Sequence, residues 1–168
     1  MLGSAPAALR RAAALNELKE RVLLQIQALV DSQKATQEGA THEESRAEDP
    51  KDTRATEASY LARGLAERVE QLQLEHDRLV AYASSGLAGA DTVQLGALLR
   101  VEEEGGERAI YFLLPVAGGE VIETEGLVVR VLSPGSLLGR ELVGCSVGEN
   151  VVIELPKGEM TLSVEEVI

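Results

Sequence analysis

The sequence predicts an α+β protein: an antiparallel coiled-coil hairpin of two long helices, then a small antiparallel β domain holding one short helix. Two long runs in the amino-terminal half repeat apolar residues at steps of three and four, the spacing of one helix face. A short acidic segment containing Pro50 separates them. From Thr92 onward the apolar runs become short and strand-like, with glycines between them.

The first helix is predicted from Leu9 to about Glu38, a stretch with neither Gly nor Pro. Its stripe is Leu15, Leu18, Val22, Ile26 and Leu29, set among Ala, Glu, Gln, Lys and Arg, which favour helix. Met1 to Ala14 reads as the start of this helix rather than a secretory leader, because Pro6 interrupts a weakly apolar stretch. The second helix is predicted from Thr53 to about Ala83, with Leu61, Leu65, Val69, Leu72 and Leu79 as its stripe. Each run has one apolar stripe only, so the two should fold back and bury each other's stripe. A hairpin satisfied in this way has no need of a partner chain, and a monomer is expected. Gly39 is the expected end of the first helix, and Asp52 or Thr53 the cap of the second.

Residues 39–53 form the tip and concentrate Glu43, Glu44, Glu48, Asp49 and Asp52. The hairpin is assigned to residues 1–84, a small-residue linker to 85–91, and the β domain to 92–168. In that domain, strands are expected over Thr92–Val101, Ala109–Val116, Gly126–Leu132, Val151–Leu155 and Met160–Val167. The short helix is expected from Pro134 to Leu142, with Ser133 before it and Gly144 as its stop. The run Leu127-Val128-Val129 is expected to face that helix.

Composition narrows the function. The 168 residues carry 28 Asp and Glu against 16 Lys and Arg, a formal charge of -12. This balance makes the chain a poor candidate for independent DNA or RNA binding, because phosphate neutralisation needs clustered Lys and Arg. A basic protein surface or a metal-rich site is the better partner. The single Cys145 permits no internal disulfide and fits a reducing cytoplasm; it reads as a small buried residue. No run of about 18 apolar residues appears, so no membrane span is expected. His42 beside Glu43 and Glu44 lacks the defined spacing of a zinc site's three or four ligands, and His76 is far away in sequence.

One set of residues is more specific. Ser133-Pro134, Leu142-Val143-Gly144 and Gly148-Glu149 stand in an order and spacing that resembles the carboxy-terminal domain of the bacterial Gre transcript-cleavage factors, GreA and GreB. That family writes Ser-Pro, a small helix, Leu-hydrophobic-Gly-Lys, then Gly-Asp before a strand. Val93-Gln94-Leu95-Gly96 is similar to the family's opening strand, with Leu95 in place of an aromatic. With the hairpin and the linker, the resemblance covers nearly the whole chain. It implies an FKBP-like fold for the β domain, and a hairpin that enters the secondary channel of RNA polymerase.

The tip departs from the family. Gre factors usually carry Gly-Asp-x-Ser-Glu-Asn-Ala-Glu-Tyr as the second helix begins. Here the chain reads Lys51-Asp52-Thr53-Arg54-Ala55-Thr56-Glu57-Ala58-Ser59-Tyr60, without the Ser-Glu-Asn core and with one more residue between Asp and Tyr. Asp52 nearly matches the family Asp, and Glu57 stands where the family has an acid before its Tyr.

The resemblance implies no cofactor in the free protein and a Mg²⁺ shared with the polymerase in the complex. Mg²⁺ takes oxygen ligands, so one or two added carboxylates can retain it. Asp52 and Glu48 are the implied metal-holding residues, with Asp49 and Glu57 as further tip carboxylates acting in trans. Docking at the channel rim is implied for Ser133, Pro134, Leu137, Leu138 and Gly144. RNA would be met only inside the polymerase complex. By themselves, the tip acids are an ordinary solvated turn, and Lys34, Arg46, Lys51 and Arg54 are solvated charges.

Three alternatives remain. One is a channel binder that does not stimulate cleavage, inhibitory or regulatory in effect. Another is a prolyl isomerase, for which Tyr111 and Phe112 are the only aromatics in the β domain. The last is a coiled-coil adaptor with no polymerase contact.

Overall fold

The computed structural model describes residues 7–41, 54–84, 91–156 and 158–168. Helix α1 spans Ala7–Thr41 and α2 spans Arg54–Ser84, the two arms of the hairpin. Helix α1 does not stop at Gly39; it continues through it to Thr41. A helical glycine costs only about 1 kcal/mol relative to Ala, too little to end a helix of strong formers.

The chain divides into two compact units, one of them Lys19–Asp77 and the other comprising the chain up to Leu18 together with Arg78–Ile168. In the first, Val22 and Leu72 are buried and Ile26, Leu29, Leu65 and Val69 half-buried, but Leu61, also expected in the α2 stripe, is 53% exposed. In the second, Ala14, Leu15, Leu18 and Leu79 are buried. Here Arg11 on α1 donates from Nε to the Gly96 carbonyl and from a terminal nitrogen to the Tyr82 carbonyl, each at 2.7 Å. Burial pushes the Arg11 guanidinium down from its usual pKa.

The β domain has six strands: β1 Leu98–Glu103, β2 Arg108–Leu113, β3 Val121–Thr124, β4 Leu127–Leu132, β5 Asn150–Leu155 and β6 Gly158–Val167. They form one sheet in the order β3-β4-β2-β1-β6-β5. The sequence pattern missed β3, a four-residue edge strand with a single buried residue, Ile122. It also placed the first strand too early. Thr92 makes an isolated bridge to Ser146, the chain turns at Gly96 with φ +86°, and β1 begins at Leu98.

The sheet is antiparallel except where β2 pairs with β4 in parallel. After β2, the connection crosses the end of β4, with Leu114 N bonded to Leu132 O and Gly119 N to Val131 O. This carries β3 to the outer edge. The returning strand β4 therefore lies beside β2 and runs in the same direction.

Helix α3, Leu137–Leu142, covers one face of the sheet. Leu138 and Leu142, together with Cys145, pack on Leu99, Val101, Tyr111, Leu113, Val151, Ile153, Leu162 and Val164. The run at β4 is not part of this contact, contrary to the expectation from sequence. Strand β4 buries Leu127, Val129 and Val131; Val129 pairs with Ile110 and Ile122, and Val131 with Phe112. These residues lie on the opposite face, because strand side chains alternate and Tyr111 already faces α3.

A bulge in β6, opposite the step from Arg100 to Val101, brings Glu165 and Glu166 to the same side of the strand. Arg100 meets both carboxylates, Glu165 at 2.9 Å and Glu166 at 2.6 Å. Arg108 meets Glu165 at 2.9 Å and Glu102 at 3.0 Å. Burial alone would raise the Glu165 pKa. The hydrogen bond from Arg108, with the charges of Arg108 and Arg100, outweighs it and holds Glu165 below the usual carboxylate range.

Two measurements follow from this geometry. The depressed Glu165 value means that its stabilisation is present at neutral pH and is lost as pH falls through the folded-state value. Glu165→Gln should therefore lower the thermal midpoint at neutral pH, and the gap from the parent should narrow at acid pH as Glu165 becomes protonated. An equal gap at both pH values would show that the ion pairs are not its source. In the β3–β4 turn, Glu125 has φ +51° and Gly126 φ +74°, so Glu125 holds a left-handed conformation that costs a non-glycine residue on the order of 1 kcal/mol. Glu125→Asn should raise stability by roughly 0.5 kcal/mol in urea unfolding, part of that cost.

Candidate functional site

Two regions carry the residues singled out from sequence: the hairpin tip and the α3 platform. At the tip, α1 ends at Thr41 and α2 begins at Arg54. Asp52, Glu48 and Asp49 lie outside the described residues, as do Glu43, Glu44 and His42. Glu57 is described; it is exposed and sits in the first turn of α2, where the helix dipole favours a negative charge. Tyr60, one turn further, is 72% exposed. Among the described residues, no three His, Cys, Asp or Glu side chains could together hold a metal ion. Glu57 alone could add one oxygen to an ion held elsewhere.

The α3 platform starts at a tight turn. The Ser133 carbonyl accepts from Ser136 N at 3.0 Å and from the Ser136 hydroxyl at 2.7 Å. Ser136 Oγ accepts in turn from Gly139 N at 3.0 Å, which caps α3. The cap is therefore Ser136 and not Ser133, and Pro134 belongs to the turn before the helix rather than to the helix itself. Ser133 Oγ accepts from Gly135 N at 3.2 Å. The far end is closed by Gly144 with φ +88°, as the sequence suggested.

Close packing fixes this turn. A Cβ at Gly139 would overlap the Ser133 carbonyl oxygen and lie 2.9 Å from Ser136 Oγ. A Cβ at Gly118 would lie 3.1 Å from Ser133 Cβ. Of the five expected docking residues, Leu137 and Gly144 are exposed, Ser133 and Pro134 are half-buried, and Leu138 packs on the core. Cys145 is buried and donates from Sγ to the Glu141 carbonyl at 3.0 Å. Burial first, and then the charges of Glu149 and Glu141, raise its thiol pKa, which suits a packed side chain rather than a nucleophile. Tyr111 and Phe112 are buried as neighbours on one strand, so they face opposite sides of the sheet and cannot line one proline pocket.

Residues 88–168 match the family model described as the transcription elongation factor GreA/GreB carboxy-terminal domain. The β domain belongs to that family. GreA factor homologue 1 of Thermus thermophilus is similar over 89% of this chain and 94% of its own, at 18% identity and a TM-score of 0.39. Gfh1 of Thermus aquaticus is similar over 88% and 92%, at 19% identity and a TM-score of 0.39. A GreA/GreB elongation factor from Nitrosomonas europaea covers 61% of this chain and 90% of its own, at 19% identity and a TM-score of 0.37. No curated protein matches the sequence.

The GreA/GreB domain thus contains the platform that the Ser133-Pro134 wording pointed to. Sequence reasoning missed the roles of Ser136, Gly139 and Gly118. A serine just before a short helix is a visible cap candidate, and Gly139 meets Ser133 only six residues earlier, but the approach of Gly118 to Ser133 joins residues distant in the chain. Gly139→Ala should destabilise the GreA/GreB domain by roughly 1–3 kcal/mol in urea unfolding, the range for forced overpacking. Gly135→Ala is the control: its added Cβ would meet only Ser133 Oγ, at an ordinary 3.7 Å, and stability should change little.

Proposed function

We propose that this chain is a cytoplasmic transcription elongation factor that acts on RNA polymerase rather than an enzyme in its own right. Its hairpin enters the secondary channel, and its GreA/GreB domain sits at the channel rim through the α3 platform, with Ser133, Pro134, Leu137, Leu138 and Gly144 as the docking set. One observation carries this reading: the GreA/GreB family match over residues 88–168. The long helical arms joined by a carboxylate-rich segment support it.

In this reading the tip acids Asp52, Glu48, Asp49 and Glu57 act inside the polymerase. Asp52 and Glu48 would add oxygen ligands to a Mg²⁺ shared with the polymerase. When bound, that ion activates water and stabilises the leaving oxygen of RNA. The chain itself supplies exposed carboxylates on a hairpin, and modulates cleavage of backtracked RNA. RNA is met only within the complex; the net charge of -12 disfavours binding it alone.

A second reading has the same docking without stimulated cleavage, as an inhibitor or regulator. The specific observation for it is the tip wording, where Thr53-Arg54-Ala55-Thr56 replaces the family's Ser-Glu-Asn core. A cleavage assay on backtracked complexes with purified polymerase separates the two. For the first reading, the wild-type chain should speed cleavage, and Asp52→Ala or Glu48→Ala should slow it at least about tenfold, near 1.4 kcal/mol in the barrier, with binding retained. Binding without any acceleration by the wild type would establish the second reading, and absence of binding would overturn both.

A further inference from the structure

The carboxy-terminal end of α3 carries a feature that the docking turn at Ser133 does not use. Two segments run side by side there. Val93 N donates to Cys145 O at 2.8 Å, Gly144 N to Val93 O at 2.8 Å and Val147 N to Asp91 O at 2.9 Å, around the bridge between Thr92 and Ser146. Val93 and Cys145 turn into the core. Leu95, Val143 and Val147 on the same two segments stay outside, 41%, 44% and 44% exposed.

Carboxylates fringe this apolar strip. Asp91, Glu141 and Glu149 are all exposed. Glu141 and Glu149 lie close enough to Cys145 to raise its thiol pKa by charge. Glu149 is held in place, accepting from Ser146 N at 2.9 Å. The segments themselves are rigidly bonded, so a partner would meet a preformed surface at little ordering cost.

We propose that Leu95, Val143 and Val147, with their fringe of Asp91, Glu141 and Glu149, form a second docking surface that takes an apolar ridge flanked by Lys or Arg on RNA polymerase. The inference rests on the proposed polymerase function and adds a contact separate from the Ser133–Pro134 turn. The charge pattern selects the occupant. A nucleic acid would bring phosphate against three carboxylates. A second copy would oppose two identical acidic fringes. A basic-flanked protein ridge buries the aliphatic side chains and pairs the acids at the rim.

The test is equilibrium binding of the full chain to purified RNA polymerase over a series of salt concentrations. The paired variant Val143→Ser with Val147→Ser should weaken binding by about tenfold, or 1.4 kcal/mol. The paired variant Asp91→Lys with Glu141→Lys should weaken it similarly and flatten its salt dependence, because rim charges act through screened attraction. All four positions are exposed, so thermal midpoints close to the parent's are expected; the charge pair gives an independent answer should the valine pair lose stability. Wild-type binding with both paired variants equally tight would overturn this surface and leave the proposed function standing. Wild type that fails to bind polymerase would overturn both. Weakening by the valine pair with no change in the charge pair would overturn the basic-flanked partner.

Discussion

The contact between α3 and the sheet is the constraint on which the platform depends. A helix of six residues cannot persist alone in water, because nucleation costs more than so few hydrogen bonds return. Leu138 and Leu142 hold it by entering the cluster of Leu99, Tyr111, Leu113, Val151, Ile153 and Val164. Fully burying a side chain such as Leu142 contributes about 1.5–3 kcal/mol, against about 1 for a typical cap. Once α3 is seated, Ser133 and Pro134 are placed before it, and Val143 and Val147 beyond it. Both candidate docking features therefore take their positions from one hydrophobic contact.

Polar interactions then set details that hydrophobic burial leaves loose. Arg11 bonds both the Gly96 carbonyl and the Tyr82 carbonyl, two acceptors far apart in the chain. A guanidinium suits this role because it has several donors in a fixed fork. At the other end of β1, the β6 bulge gathers Glu165 and Glu166 against Arg100 and Arg108. A regular strand would have turned one of those acids to the opposite face. The bulge thus converts two consecutive acids into one ion-paired cluster.

In the proposed function, the hairpin would lend carboxylates to the polymerase and the domain would dock. The described residues contain no cluster able to hold a metal, a thiol raised by burial, and two aromatics on opposite sides of a sheet. What they offer instead is surface: a serine–proline turn packed against two glycines, an aliphatic strip with an acidic fringe, and an exposed acid where α2 begins.

The sequence by itself determined the two long helices, the stop at Gly144 and the buried state of Cys145. These rest on local rules: a repeat of three and four residues, a glycine free to take positive φ, and a small apolar side chain beside a helix end. Tertiary structure alone decided the rest. Edge strand β3 has one buried residue and no alternation long enough to read. The parallel pairing of β2 with β4 depends on where a connection crosses. The side of the sheet taken by Val129 depends on register, in which a shift of one residue reverses every side chain. The contact of Gly118 with Ser133 was hidden for the same reason: helix period and caps are properties of neighbours in the chain, whereas strand order, register and close approach are set between segments that meet only after folding.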